Sequence, residues 1–111
     1  MKSINEKITN DNLATGTNTL SSLAAVSARV NKITNISFSY TGTVLNVRIE
    51  IKAGGKSIYK TTADPVSGQL ERLPAPVELY LSAGEKIDIV VTNATVGDDA
   101  TLIINGVELI A

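Results

Sequence analysis

The sequence predicts an all-β protein: a single antiparallel β-sandwich of about eight strands, with a Greek-key or jelly-roll path and a flexible N-terminal arm. Three observations carry this prediction. Of the 111 residues, 12 are Ile, 10 are Val and 12 are Thr, and such β-branched side chains favour strands. Apolar and polar residues alternate over most of the chain. Gly, Pro, Asn or Asp interrupt this alternation about every 8–12 residues, which is the spacing of sandwich strands.

The beginning of the chain differs from the rest. Residues 1–16 are predicted to form an arm and residues 17–111 the sandwich domain, because the first dozen residues are polar apart from Ile4 and Ile8. So little apolar surface cannot order the segment by itself. Ile4, Ile8 and Leu13 are the candidate partner-docking residues of this arm. They could add to the sheet edge of a neighbour or lie in its groove.

The first half of the domain contains the clearest strand, at residues 45–51, where aliphatic and polar side chains alternate. A similar run at 36–41 precedes it, and the short Thr-Gly-Thr connection predicts an antiparallel hairpin between the two. The Gly54-Gly55 pair accommodates positive φ and predicts a second hairpin, leading into residues 57–61. Residues 17–24 are interpreted as a strand, although within residues 20–30 the spacing of Leu20, Leu23, Ala24 and Ser27 also fits a helical stripe.

The second half begins with a segment in which all three Pro residues of the chain lie, at residues 62–76. Because a paired central strand rejects Pro, this segment is predicted to be a long crossing loop. The alternating runs at 77–81 and 87–91 are predicted to pair as a hairpin. The Asn105-Gly106 dipeptide suits a type I′ turn and predicts a hairpin that closes the chain.

Composition excludes most enzyme mechanisms. The chain has no Cys and no His, which removes disulfides, thiolate nucleophiles, imidazole bases and Cys/His zinc sites. We therefore predict a protein that is not an enzyme, with no catalytic, cofactor-binding or metal-ligating residues. Glu78, Glu85 and Asp88 are carboxylates at predicted solvent-facing positions, where charge keeps a sheet soluble. Asp98 and Asp99 fall short of the six or more oxygens that Ca²⁺ needs, and such residues favour turns.

Charge and hydropathy limit the partners. Ten Lys and Arg against eleven Asp and Glu leave no basic field for a phosphate backbone, so nucleic acid is not an expected partner. No apolar run approaches the ~20 residues of a membrane helix, so no membrane partner is expected. The first residues do not form the apolar core of a secretory signal, and cytoplasmic synthesis is expected.

The four aromatic residues leave a second function open. Phe38 and Tyr40 share the parity of the apolar run at 36–41 and are predicted to lie in the core. Tyr59 and Tyr80 remain as candidate surface aromatic contacts, because an exposed ring can stack on a sugar. The alternative function is therefore a carbohydrate-binding or host-adhesion β-sandwich module, with a glycan as its ligand.

Four runs of sequence carry a resemblance to a known group of proteins: residues 29–40 (RVNKITNISFSY), 47–51 (VRIEI), 76–87 (PVELYLSAGEKI) and 94–99 (ATVGDD). In their order, these runs resemble small β-sandwich virion proteins of tailed bacteriophages. The resemblance implies a capsid-decorating, head-accessory or tail-associated role, without catalytic residues. It further implies self-association and contacts with the major capsid protein or other virion proteins, on a virion assembled after synthesis in the host cytoplasm.

Overall fold

The structure is a computed structural model that describes residues 2–42, 47–63, 71–72 and 79–110. These residues form nine β-strands, and no helix occurs among them. The strands are β1 (Lys2–Asn10), β2 (Gly16–Ser21), β3 (Arg29–Thr41), β4 (Val47–Ala53), β5 (Lys56–Ala63), β6 (Glu71–Arg72), β7 (Leu79–Leu81), β8 (Ile87–Ala94) and β9 (Asp99–Ile110).

The strands form two antiparallel sheets. Sheet A has the order β1-β9-β3, and the short strands β6 and β7 pair with two different stretches of the far edge of β3. Sheet B has the order β2-β8-β4-β5. Since β6 and β7 share one edge, each sheet is four strands wide. The predicted all-β sandwich is confirmed.

The chain changes sheets at every connection between these strands except β4 to β5 and β6 to β7. The prediction of a crossing path rather than a meander therefore agrees with the topology. Each strand has one apolar stripe, and a path that crosses between the sheets brings successive stripes face to face.

The core fills the space between the sheets with aliphatic side chains and two aromatic rings. Its largest fully buried side chains from the long strands include Ile33, Ile36, Phe38 and Tyr40 of β3, Ile49 and Ile51 of β4, Ile87 and Ile89 of β8, and Leu102 and Ile104 of β9. Each such side chain contributes about 1.5–3 kcal/mol by leaving water. The parity predicted for Phe38 and Tyr40 is confirmed.

The predicted flexible arm is a strand instead. Lys2–Asn10 forms β1 and pairs with β9 along its whole length, from Lys2 opposite Glu108 to Asn10 opposite Ala100. Two apolar side chains are too few to order a segment alone, but β9 lies opposite nine residues of β1 and supplies backbone hydrogen-bond partners for alternate ones. The strand predicted at residues 17–24 is also present, as β2, and it ends at Ser21.

Two predicted hairpins are wrong. β3 lies in sheet A and β4 in sheet B, so the connection after Thr41 joins the two sheets. In the same way β7 pairs with β3, whereas β8 pairs with β2 and β4. Short connections with Gly occur both in hairpins within one sheet and in links between two sheets. The alternation of apolar and polar residues indicates which face of a strand is buried, but not which strand lies beside it.

The predicted hairpin at Asn105-Gly106 is also wrong, because β9 runs through both residues. Opposite them, β3 carries an irregularity between Ile33 and Asn35, where the extra residue Thr34 shifts the register by one. A Cβ on Gly106 would lie 3.0 Å from the Ile33 Cα and against the Lys32 carbonyl. This glycine therefore permits a close approach of two backbones at a β-bulge, rather than a turn.

The hairpin predicted at Gly54-Gly55 is confirmed. Ala53 pairs with Lys56, and the two glycines have φ of 58° and 85°, as a two-residue type I′ turn requires. Most of the predicted loop at residues 62–76 lies outside the described residues. Within it, β6 pairs with Ser37 and Phe38 of β3.

Candidate interaction surface on sheet A

The outer faces of the two sheets differ in chemistry. Sheet B exposes a shallow groove lined by Arg48, Glu50, Lys60, Thr62 and Thr92. The Lys60 ammonium lies 3.6 Å from the Glu50 carboxylate, and a hydrogen bond from the Ser57 side chain lowers the pKa of Glu50. Such exposed ion pairs favour a solvated surface over a dehydrated contact.

The outer face of sheet A carries an amide row that crosses three strands. The Asn35 side-chain NH₂ donates to Asn105 Oδ1 at 2.7 Å, and the Asn105 NH₂ donates to Asn5 Oδ1 at 2.9 Å. Ser37 Oγ donates to Asn35 Oδ1 at 3.4 Å. These residues belong to β1, β9 and β3, and the row fixes the register of the three strands through side chains.

An apolar strip lies beside the amide row on the same face. It consists of Val30, Val107 and Leu109, which are half-buried; Val30 is the cross-strand partner of Leu109. Leu102 and Ile104 of β9 are fully buried, so Val107 and Leu109, which have the opposite parity on this strand, face outward. Val30 faces outward with its partner Leu109. Lys32 pairs with both Val107 and Tyr80, so Tyr80 lies on the same outer face, with Lys32 between it and Val107.

Few charges interrupt this face. Among the outward positions of β1, β3, β7 and β9, the charged residues are Lys7, Lys32 and, at the far end, Asp99. The centre of a protein–protein interface typically has few charged residues and is rich in aromatic and apolar side chains.

Exposed apolar side chains also gather at the end of the sandwich where β3 begins. Leu23 is 76% exposed, Val26 54% and Ile110 77%. Arg29, at the start of β3, pairs with Ile110, and its backbone N–H donates to the Val26 carbonyl at 3.2 Å. Val26 and Ile110 therefore lie close to the start of β3, and Leu23 lies in the same connection between β2 and β3.

Asn31 lies inside the same end of the sandwich. It is 7% exposed, and its Oδ1 is buried without a hydrogen-bond partner in the described part of the structure. Its cross-strand neighbours are Leu81 and Glu108. The strand pattern does not distinguish this buried amide from the outward amides.

The structure separates the three residues predicted to dock a partner. Ile4 and Ile8 face inward from β1 and are half-buried against the core. Leu13 is fully buried, so its prediction as a docking residue is wrong. Its N–H donates to the Asp98 carbonyl and its carbonyl accepts from the Gly97 N–H, both at 2.9 Å. These bonds fix the connection between β1 and β2 beneath the turn that precedes β9.

The two candidate surface tyrosines lie on different sheets. Tyr59, on β5, is half-buried and its ring centroid lies 6.0 Å from that of Phe38, at 51°. Tyr80, on β7, is 56% exposed. Tyr59 therefore packs at the edge of the sandwich. Of the two tyrosines, Tyr80 is the one that lies on the outer face of sheet A.

The carboxylates considered at the sequence level have structural contacts. Glu85 Oε1 accepts from the Ser82 N–H at 2.7 Å, and Asp88 Oδ1 accepts from Ser21 Oγ at 2.5 Å. Glu78 lies outside the described residues. No group of three or more acidic residues that could hold a metal ion occurs among the residues the structure describes.

Asp98 and Asp99 point to opposite sides. Asp98 is buried, accepting from the Thr95 N–H at 2.8 Å and from the Tyr40 hydroxyl, whereas Asp99 is exposed. Burial, reinforced by the hydrogen bond to Asp98, raises the pKa of Tyr40 well above its ordinary value. Asp98 thus ties the turn at 95–98 to the core, which gives this residue of the Gly-Asp-Asp sequence a structural role.

No protein-family model matches the chain, and no curated protein matches it significantly. In the described ranges, no helix has the length and apolar character to cross a membrane.

Proposed function

We propose that this chain is a non-enzymatic structural protein of a bacteriophage virion, which decorates or stabilises the capsid or head through repeated protein–protein contacts. The outer face of sheet A makes these contacts, with the major capsid protein, with other virion proteins and with further copies of the chain.

The observation that carries the proposal is the difference between the two outer faces. Sheet A offers an amide row, an apolar strip and the Tyr80 ring, whereas sheet B offers a charged groove. A decorating protein must turn one face to the particle and the other to water, and these two faces suit those environments.

The test is co-sedimentation with empty capsids assembled from the major capsid protein of the same genome. We expect wild-type protein to pellet with capsids, and Val107→Lys to abolish pelleting by placing a charge in the apolar strip. Thr92→Lys is the matched control, because Thr92 is a half-buried outward residue of sheet B. Wild-type protein that stays in the supernatant contradicts the proposal. Equal loss in both variants contradicts the assignment to sheet A.

A glycan ligand is the second candidate, favoured by the exposed Tyr80 ring on the same face as the amide row. Rings stack on sugars and amides bind hydroxyls, so the two features could act together. A glycan array probed with wild-type protein, Tyr80→Ala and Tyr59→Ala separates the cases. Binding lost in Tyr80→Ala and kept in Tyr59→Ala supports a glycan site, and binding unchanged by Tyr80→Ala removes it.

A further inference from the structure

We propose that β1 is an exchangeable strand: in the assembled state, β1 of one copy occupies the β1 position in sheet A of a second copy. This inference deepens the proposed assembly role and rests on it, since it names a second copy of the chain as the partner at this edge.

The position beside β9 is specific for the sequence of β1. Nine consecutive residue pairs join the two strands. Two of these pairs also bond through side chains, Asn5 with Asn105 at 2.9 Å and Thr9 with Thr101 at 3.3 Å. A strand shifted by one residue would turn Ile4 and Ile8 outward and break both polar pairs. The segment that fits this edge best is therefore another β1.

β1 is held less firmly than the strands beside it. It lies at the edge of sheet A and, of the described strands, pairs with β9 alone. Its inward Ile4 and Ile8 are half-buried, whereas Leu102 and Ile104 of β9 are fully buried. Departure of β1 removes two isoleucines that the core covers only in part, and insertion into a second copy restores every contact that was lost.

A short exposed hinge separates β1 from the fixed part of the chain. Asp11 and Asn12 are exposed, and the Asn12 N–H bonds to the Asn10 side chain at 3.0 Å. From Leu13 onward the backbone is fixed by its bonds to Gly97 and Asp98. Exchange therefore requires a change of conformation at residues 11–12 and leaves both sheets as they are.

The test uses cysteine pairs, because the chain has no Cys of its own. A tagged chain carrying Asn5→Cys is refolded together with an untagged chain carrying Asn105→Cys, then oxidised gently, in solution and after addition of capsids. Cross-strand partners lie within disulfide range, so the two thiols meet only when β1 of one chain lies beside β9 of the other. Non-reducing electrophoresis and mass spectrometry measure the mixed dimer.

The matched control mixes Asn35→Cys with Asn105→Cys, which are hydrogen-bonded partners on two interior strands. A single chain carrying both Asn5→Cys and Asn105→Cys checks that the disulfide can form. We expect the Asn5/Asn105 mixture to give a mixed-dimer yield about ten-fold or more above the control, because a paired strand holds its thiol at millimolar effective concentration.

Equal mixed-dimer yields from the two mixtures, in solution and on capsids, overturn the exchange. The outcome is distinguishable from failure of the proposed function. Wild-type protein that pellets with capsids while the two yields are equal leaves the decorating role in place without exchange. Mixed dimers without pelleting support exchange and remove the capsid as partner.

Discussion

Replacing Gly106 with Ala tests the close approach of β3 and β9. The added Cβ would lie 3.0 Å from the Ile33 Cα and from the Lys32 carbonyl carbon, and closer still to the Lys32 oxygen. Both backbones are fixed by the ladder, so the strands must separate locally. Each ladder hydrogen bond lost costs about 1 kcal/mol, and overpacking costs about 1–3 kcal/mol. With one such bond lost, we expect the free energy of unfolding to fall by about 2–4 kcal/mol.

Urea unfolding followed by circular dichroism measures this loss, with Gly55→Ala as the control. Gly55 has φ of 85° and nothing within 4 Å of an added Cβ, so its substitution costs backbone strain alone. That strain is about 1–2 kcal/mol. If Gly106→Ala destabilised the protein no more than Gly55→Ala, the continuous strand would be refuted and a turn at Asn105-Gly106 supported.

Three further substitutions test single contacts. Leu13→Ala should lower the free energy of unfolding by about 2–5 kcal/mol, because the side chain is fully buried. A loss under about 0.5 kcal/mol, which is usual for surface positions, would indicate that Leu13 is exposed. Asn31→Leu should raise the free energy of unfolding by about 1 kcal/mol, because an unsatisfied buried oxygen is removed. If urea titration showed that the variant is less stable than the wild type, Oδ1 would have a hydrogen-bond partner. The raised pKa of Tyr40 means that only the unfolded state loses this proton just above pH 10, so stability should decline as pH rises further. Tyr40→Phe should flatten that decline, and an unchanged slope would contradict the burial of the phenol.

Local features of the fold could be predicted from the sequence. The alternation in β4 identifies its buried face, because successive side chains of a strand point to opposite sides. Gly54-Gly55 identifies a tight hairpin, because two adjacent residues with positive φ favour glycine. Each prediction depends on neighbours along the chain, and the structure agrees with both.

Strand partners could not be predicted in the same way. Pairing between β3 and β9, or between β1 and β9, joins residues far apart in sequence, and alternation is the same whichever strand lies alongside. The Asn105-Gly106 dipeptide predicts a turn because it suits one, whereas the bulge in β3 makes glycine necessary within a strand. The amide row could not be predicted either, because Asn5, Asn35 and Asn105 become neighbours only through register.

Lysine reactivity is the most direct test of sheet A as the contact face. Lys7 and Lys32 lie on its outer face, whereas Lys52 and Lys60 lie on sheet B. Acetylation of each lysine, measured by mass spectrometry, is compared between the free protein and the protein on capsids. The account predicts that Lys7 and Lys32 become protected while Lys52 and Lys60 keep their free-protein rates. Protection of Lys52 and Lys60, with Lys7 and Lys32 unchanged, would contradict it.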